Sequence, residues 1–335
     1  MSLMTREETA GRLIGVAKRF IPPPGRWIAA RFLDVTTDSL ERIMGRGGPL
    51  TPPLRIRLHV GPFLDPELYR LSAERNVEAL RELCGLRRDS RILDIGCGCG
   101  RVASALARYM SSTGSYDGFD VAKEAVEWCQ RHISARFPNF RFRRIPVFSQ
   151  RYSPQGSRGA SEIAFPYDDN GFDLVFAASV FTHIPPDGLA NYIAETRRVL
   201  RPGGVSLATF CLLTDSSLPS VEAGLSEPRL RQKYGDFWVR DLDDPASFIA
   251  YPERFVRDTY QNCGLTVVDP IRFGSWAAGS LEASGPRAVW VQPRYRNRDE
   301  GAVKQNPKGR GSTGTPYGAF GETGRSGEGF STLRP

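Results

Sequence analysis

Between residues 59 and 293 the apolar positions follow two alternating rhythms. Short runs rich in β-branched, aromatic and aliphatic residues read as strands: RILDIG (91–96), SYDGFDV (115–121), FRFRRIPV (140–147), FDLVFAAS (172–179) and VSLATFCLL (205–213). Segments with apolar residues at helical spacing separate them. These are 68–84, with Leu71, Val77, Leu80 and Leu83, and then 102–110, 123–137 and 187–200. Gly85 is placed to cap the first of these helices. Pro202-Gly203-Gly204 marks a turn ahead of the fifth strand. A helix over 252–263, ended by Gly264, and strands over 265–274 and 287–293 complete the pattern. Strands alternating with helices predict crossover connections, hence an α/β fold with a mainly parallel sheet covered on both faces.

The rhythm is different outside this region. Residues 6–21 read as a short amphipathic helix, with Leu13, Ile14, Ala17, Phe20 and Ile21 near one face, stopped by Pro22-Pro23-Pro24. A second helix is expected over 26–44, before Gly47-Gly48-Pro49. Residues 214–251 are mixed and polar and read as an insertion after the fifth strand. Residues 294–335 hold nine glycines and little apolar periodicity. Such a segment buries too little surface to offset its chain entropy, so it is expected to be disordered. The organisation read from the pattern is a helical N-terminal extension (1–58), a catalytic-sized domain (59–293) and a Gly/Arg-rich tail (294–335).

Charge sharpens that division. The chain of 335 residues has a formal net charge of +8. Residues 1–58 carry +5, residues 294–335 carry +4, and residues 59–293 carry −1. The basic excess therefore belongs to the two ends, while the central domain is nearly neutral. That placement disfavours nucleic-acid binding by the domain itself. It leaves the N-terminal helices as an extension packed on the domain, or as a contact with a membrane surface or a protein partner. Six cysteines form no C-x-x-C pair, and His59, His132 and His183 are scattered, so no metal site is expected. No apolar run reaches the roughly 18 residues of a membrane span. With no secretory leader pattern and no cysteine framework, a cytoplasmic location is expected.

The segment Asp94-Ile95-Gly96-Cys97-Gly98-Cys99-Gly100 follows a strand and opens a helix. Alternate glycines let the backbone turn sharply and approach a ligand closely. A nicotinamide fingerprint needs G-x-G-x-x-G, but here Arg101 occupies the place of its third glycine. Asp94 ends the first strand, where its charge would repel a pyrophosphate and favour an amino group. Asp120 ends the second strand, where a carboxylate can accept from both ribose hydroxyls. Together these residues describe a pocket for a nucleoside bearing an amino-acid-like group and no phosphate. Cys97 and Cys99 lie inside the glycine loop and are read as small packing residues.

These residues resemble the first motif of class I S-adenosylmethionine-dependent methyltransferases. The resemblance extends to GFDVAKEAVEWC (118–129), FDLVFAASVFTHIP (172–185) and RVLRPGGVSLATF (198–210), in the family's order. It implies a seven-stranded, Rossmann-like sheet with the last strand antiparallel, and S-adenosylmethionine as cofactor. It also implies that Gly96, Cys97, Gly98 and Gly100 wrap the methionine moiety with Asp94 beneath it. Asp120 would hold the ribose and Val121 would lie against the adenine, while the backbone near Ala178 and Ser179 would close the methionine side. The acidic residue that many relatives carry after the third strand is absent from Ile145-Pro146-Val147-Phe148. His59-Val60-Gly61-Pro62 resembles a segment that folds over the cofactor in some bacterial relatives.

His183 lies in the loop after the fourth strand, where open α/β sheets bind ligands, and is the candidate base. Tyr152, Tyr167, Asp168 and Asp169 flank the acceptor side, although 168–171 also reads as an Asp-Asp-Asn-Gly turn. Tyr234, Phe237 and Trp238 of the insertion either pack on the domain or form a lid. The Asn/Asp-Pro-Pro-Tyr/Phe motif that marks amide- and adenine-modifying relatives is replaced by Ser179-Val180-Phe181-Thr182. The expected activity is therefore O-methylation of a small molecule, a sugar or a lipid-linked glycan. The alternative is an RNA methyltransferase that grips the backbone with its basic ends.

Overall fold

The structure, a computed structural model, describes residues 41–295 apart from 42, 44, 46, 59, 62, 227, 228, 274–287 and 292. The helices expected over 6–21 and over most of 26–44 lie outside the described residues, as does the tail beyond residue 295. Among the described residues no helix is long and apolar enough to cross a membrane.

A single helical turn, α1 (Leu54–Arg57), leads into α2 (Pro66–Cys84). α2 starts two residues before the apolar spacing predicts because Asp65 caps it, its carboxylate accepting the Glu67 N–H at 2.8 Å. Pro66 fills the first position, where no N–H is needed. Gly85 ends the helix at φ 63°, as its position predicts. There follow β1 (Arg91–Ile95), α3 (Arg101–Tyr109), β2 (Ser115–Asp120), α4 (Lys123–Cys129), β3 (Phe140–Arg144), β4 (Phe172–Ala177), α5 (Pro186–Val199) and β5 (Leu200–Leu213). The helix expected over 123–137 passes from α4 into one wider turn at Gln130–Ser134. The Pro202-Gly203-Gly204 turn lies inside β5, where its register with β4 shifts between Phe172 and Leu174.

The described residues of the insertion take regular structure. They form α6 (Leu218–Glu222), the antiparallel pair β6 (Gln232–Tyr234) and β7 (Phe237–Val239), and β8 (Ile249–Pro252), which runs beside the end of β5. Helix α7 (Glu253–Asn262) follows. The strand expected over 265–274 is divided into β9 (Leu265–Val267) and β10 (Arg272–Phe273), with Pro270 between them unable to donate to a ladder. The last strand comprises β11 (Ala288–Val291) and β12 (Pro293–Tyr295).

Strands β3-β2-β1-β4-β5 form one parallel sheet. β11 and β12 pair with β5 antiparallel, and β10 and β9 pair with them in turn. This is the expected seven-strand order with only the final strand reversed, and the three strands β6–β8 of the insertion add to the end of β5. The near-continuous apolar runs follow from burial on both faces. Ile92, Leu174, Phe176 and Leu207 point into a core shared with Leu80, Val102, Leu106 and Val126 of α2, α3 and α4. Their neighbours Leu93, Ile95, Val175, Ala177 and Phe210 point the other way, onto Leu189, Ile193, Val256 and Tyr260 of α5 and α7.

Leu50 and Ile56, read from the sequence as part of an extension, are buried in the first of these cores. Arg57 is fully buried beside them, and its guanidinium donates to both carboxylate oxygens of Glu41 at 2.6 and 2.9 Å. Further N–H groups reach the carbonyls of Pro52, Phe63 and Leu64 at 3.1–3.3 Å. One side chain thus gathers the strap 52–64 into a fixed loop over the C-terminal ends of the strands. Arg57→Ala removes the guanidinium that holds both oxygens of the buried Glu41 carboxylate. It is expected to lower the unfolding free energy by about 3–5 kcal/mol in urea titrations, with much of the loss recovered by the paired replacement Arg57→Met with Glu41→Leu. A loss below about 1 kcal/mol would deny the strap this anchor.

Candidate active site

The register of the sheet brings the two predicted carboxylates together. Asp94 pairs in register with Gly118 of β2 and Phe176 of β4, while Asp120 closes β2 two positions further on. The turn from β1 into α3 is tied to the end of β2 by three N–H groups. Gly96 and Cys97 donate to the Phe119 carbonyl at 2.9 and 3.0 Å, and Gly98 donates to Asp120 Oδ2 at 2.8 Å. Asp120 Oδ1 accepts the Ala122 N–H at 2.8 Å, so the same carboxylate also organises the start of α4. Gly96 and Gly98 take φ of 69° and 53°. A Cβ at Gly96 would lie 2.4 Å from Val180, and one at Gly98 would lie 2.4 Å from Val60. The turn therefore requires glycine for its backbone and for its space.

Asp94 is buried and accepts the Tyr116 hydroxyl at 2.6 Å. Burial pushes its carboxyl up to about 7, against the opposing pull of the Tyr116 hydroxyl and the Arg101 guanidinium. Arg101, the first residue of α3, is itself buried. It donates to Ser72 Oγ at 2.8 Å and stacks over Phe63 at 5.3 Å. A cation and a carboxyl thus stand side by side on the wall of the glycine loop. Cys97 and Cys99 are buried packing residues. Burial raises the Cys97 thiol and pushes Cys99 up to about 11, which keeps both protonated. Among the described residues no group of three or more His, Cys, Asp or Glu side chains is arranged to hold a metal.

A cavity of about 710 Å³ opens above this turn. Asp94, Gly96, Cys97, Gly98, Asp120, Val121, Ala178, Ser179 and His183 all line it, whereas Gly100 lies beneath, packed against Ile133 and Cys129. Ser179 takes the left-handed conformation at φ 58°, held by donation of its N–H to Thr209 Oγ1 at 2.7 Å. Val60 and Gly61 of the strap cover the glycine loop, while His59 and Pro62 lie outside the described residues. Ile145, Val147 and Phe148 line the end near Val121, with Ser149 and Gln150 supplying polar side chains there.

His183 Nδ1 lies 3.0 Å from the Ala246 carbonyl. A carbonyl only accepts, so Nδ1 carries the proton, and in the neutral ring Nε2 keeps its lone pair. Burial holds the imidazole below its ordinary value, and Arg151 and Arg240 act in the same direction. The hydroxyl of Tyr251 donates to the Ile184 carbonyl and fixes the next residue of the loop.

Other sequence expectations are redistributed. Tyr152 lines the cavity, but Tyr167, Asp168 and Asp169 do not. Tyr167 packs against Phe119 and Phe172, and Asp169 accepts from Arg198 at 2.8 Å, so the segment serves as the turn before β4. Phe237 packs edge-on against Tyr251 and Phe255, and Trp238 joins a satellite core with Leu213 and Val221. The aromatic trio is thus not the lid. The insertion reaches the cavity through Arg240, Asp243, Asp244, Pro245, Ala246 and Phe248 instead. Arg101 and this segment were missed as site residues. The position of Arg101 straight after the glycine loop was a usable signal, whereas nothing local marks 240–248.

The glycine cradle, the carboxylate at each of two adjacent strand ends and the buried Arg101 fit a nucleoside with an amino-acid tail. Fold and site together define a class I S-adenosylmethionine-dependent methyltransferase domain. Residues 92–204 match the family model described as a methyltransferase domain, and the chain carries that domain. Over 181 residues the chain is 30% identical to phthiotriol/phenolphthiotriol dimycocerosates methyltransferase 1 of Mycobacterium ulcerans, an overlap of 54% of this chain and 57% of that protein. Over 173 residues it is 28% identical to methyltransferase GfsG of Streptomyces halstedii, covering 51% and 56%. A solved S-adenosylmethionine-dependent methyltransferase from Methanosarcina mazei aligns with 63% of this chain and 94% of its own, at 20% identity and a TM-score of 0.44. The chain thus spans little more than half the length of these two curated relatives.

The raised Asp94 carboxyl has a measurable consequence. Its ordinary value is 3.8 and its folded value about 7, so between these the native state holds a proton that the unfolded chain has lost. The stability this group contributes is full below about pH 3.8 and is lost as pH rises through about 7. Without cofactor, the unfolding free energy of the wild type relative to Asp94→Asn is expected to fall by about 1.4 kcal/mol per pH unit across that window. Urea titrations at half-unit pH steps measure it, and a pH-independent difference would show that Asp94 titrates normally.

Proposed function

We propose that the protein transfers the methyl group of S-adenosylmethionine to an oxygen of a small molecule, sugar or lipid-linked glycan, with His183 as the base. One observation carries this reading: a single cavity joins the glycine loop to an imidazole whose Nδ1 is committed to a carbonyl. In this reading Asp94 and Arg101 receive the amino and carboxylate groups of the methionine moiety. Asp120, at the end of β2 on the cavity wall, accepts from the ribose. Val121, Ile145 and Val147 offer an apolar slot for the adenine.

Bound S-adenosylmethionine supplies a methyl group on a sulfonium, an electrophile that needs an aligned nucleophile. The cavity walls provide the alignment. Nε2 of His183 takes the acceptor hydroxyl proton as the oxygen attacks, and Nδ1–H stays on the Ala246 carbonyl, which holds the ring in its working tautomer. The lowered value keeps the ring neutral at pH 7. The name of the mycobacterial relative, a dimycocerosate methyltransferase, supports a lipid acceptor among the candidates.

The test is release of S-adenosylhomocysteine from a panel of hydroxylated aromatics, glycans and lipids. His183→Ala is expected to lower turnover by about 10²-fold or more. Calorimetric affinity for S-adenosylhomocysteine should change less than about twofold. The acid limb of the wild-type rate profile should lie below the ordinary histidine value of 6.5. Undiminished turnover in the variant would remove His183 from catalysis.

A further inference from the structure

The acceptor end of the cavity carries a charge pattern that transfer to a neutral alcohol does not require. Arg151 sets its guanidinium over the Tyr152 ring at 5.1 Å, and Arg240 sets its own over Phe248 at 5.2 Å. Both rings stand edge-on to His183, with centroids 5.9 and 6.0 Å from the imidazole and interplanar angles of 80° and 89°. The imidazole is therefore flanked by two aromatic rings, each bearing a guanidinium. All five side chains line the one cavity. The two arginines come from separate segments, the stretch after β3 and the insertion, so folding brings them together.

Stacking fixes the plane of a guanidinium and leaves its N–H edges available for a planar or tetrahedral oxyanion. Asp187, Asp243 and Asp244 also line this end of the cavity. Burial first, and then the Arg151 and Arg240 charges, hold the His183 imidazole below its ordinary value. Two guanidiniums, each over a ring that flanks the base, offer an anionic group of the acceptor a place to bind.

We infer that the acceptor carries an anionic oxygen group, a carboxylate or a phosphate, which Arg151 and Arg240 hold while its hydroxyl faces His183. This rests on the methyltransferase reading above and narrows its substrate class. The anionic group takes no part in the transfer. It enters and leaves unchanged and serves to orient the hydroxyl.

The experiment is calorimetric titration of the full chain saturated with S-adenosylhomocysteine, with benzoate and phenyl phosphate as anionic probes and benzyl alcohol as the neutral control. At least one anion should bind tenfold or more tightly than benzyl alcohol, and the stronger of the two tells carboxylate from phosphate. The double variant Arg151→Gln with Arg240→Gln should lose that tenfold preference, while its affinity for S-adenosylhomocysteine stays within twofold of wild type. Equal binding of all three probes to the wild type, or an anionic preference kept by the double variant, overturns the proposal. Failure of the wild type to bind S-adenosylhomocysteine in the first titration overturns the cofactor reading and this proposal with it. That outcome is distinct from loss of the anion preference alone.

Discussion

The binding site depends on one constraint, the fastening of the glycine turn to the end of β2. Three consecutive N–H groups of Gly96, Cys97 and Gly98 are spent on the Phe119 carbonyl and the Asp120 carboxylate. Those bonds hold the backbone in a left-handed path that residues with a Cβ rarely follow. The path leaves no side-chain volume above or below the loop, and three separate elements close on it. Val180 comes from the loop after β4, Val60 from the strap and Ile133 from the wide turn after α4, each 2.4 Å from where a Cβ would stand. The loop after β4, the N-terminal cover and the α4 region thus share one reference point.

That geometry sets the electrostatics. Asp94 lies buried behind the turn with the Tyr116 hydroxyl as its hydrogen-bond donor, and burial pushes the carboxyl up to about 7. Ionising it is costly until a cation arrives. Asp120, half-buried and holding two backbone N–H groups, sits at the mouth of the same loop. The two carboxylates therefore play unequal parts. One responds to what binds, and the other holds the loop that binds it.

Much of this was legible because local rules and the final structure agree. The strand ends, the glycine spacing and the positions of Asp94 and Asp120 lie within a stretch whose pairing is parallel and in register, so reading one strand locates its neighbours. The register of the apolar runs with the two cores was readable for the same reason. Three features were not. Arg57 reads as a surface cation in an Arg-rich end, and only the fold supplies Glu41 and three carbonyls around it. Arg101 reads as a missing glycine, although its side chain turns inward beside Asp94. The segment 240–248 has no periodicity, and its approach to His183 exists only because β8 adds to the end of β5. The aromatic residues that drew attention to the insertion do its packing.

This last point bears on how a common cofactor fold acquires its chemistry. The half of the cavity formed by β1, β2 and β4 is built from short-range turns. The half that touches His183 is built from two irregular segments that meet only in three dimensions. The Ala246 carbonyl, contributed by the insertion, settles which ring nitrogen of His183 is bare. Without that carbonyl the imidazole is free to exchange tautomers and to place its proton on Nε2. The packing of Phe237 on Tyr251 and Phe255, and of Trp238 on its satellite core, is therefore more than support for a loop. It holds one carbonyl in place, and through that carbonyl it sets the protonation pattern of the imidazole that lines the cavity.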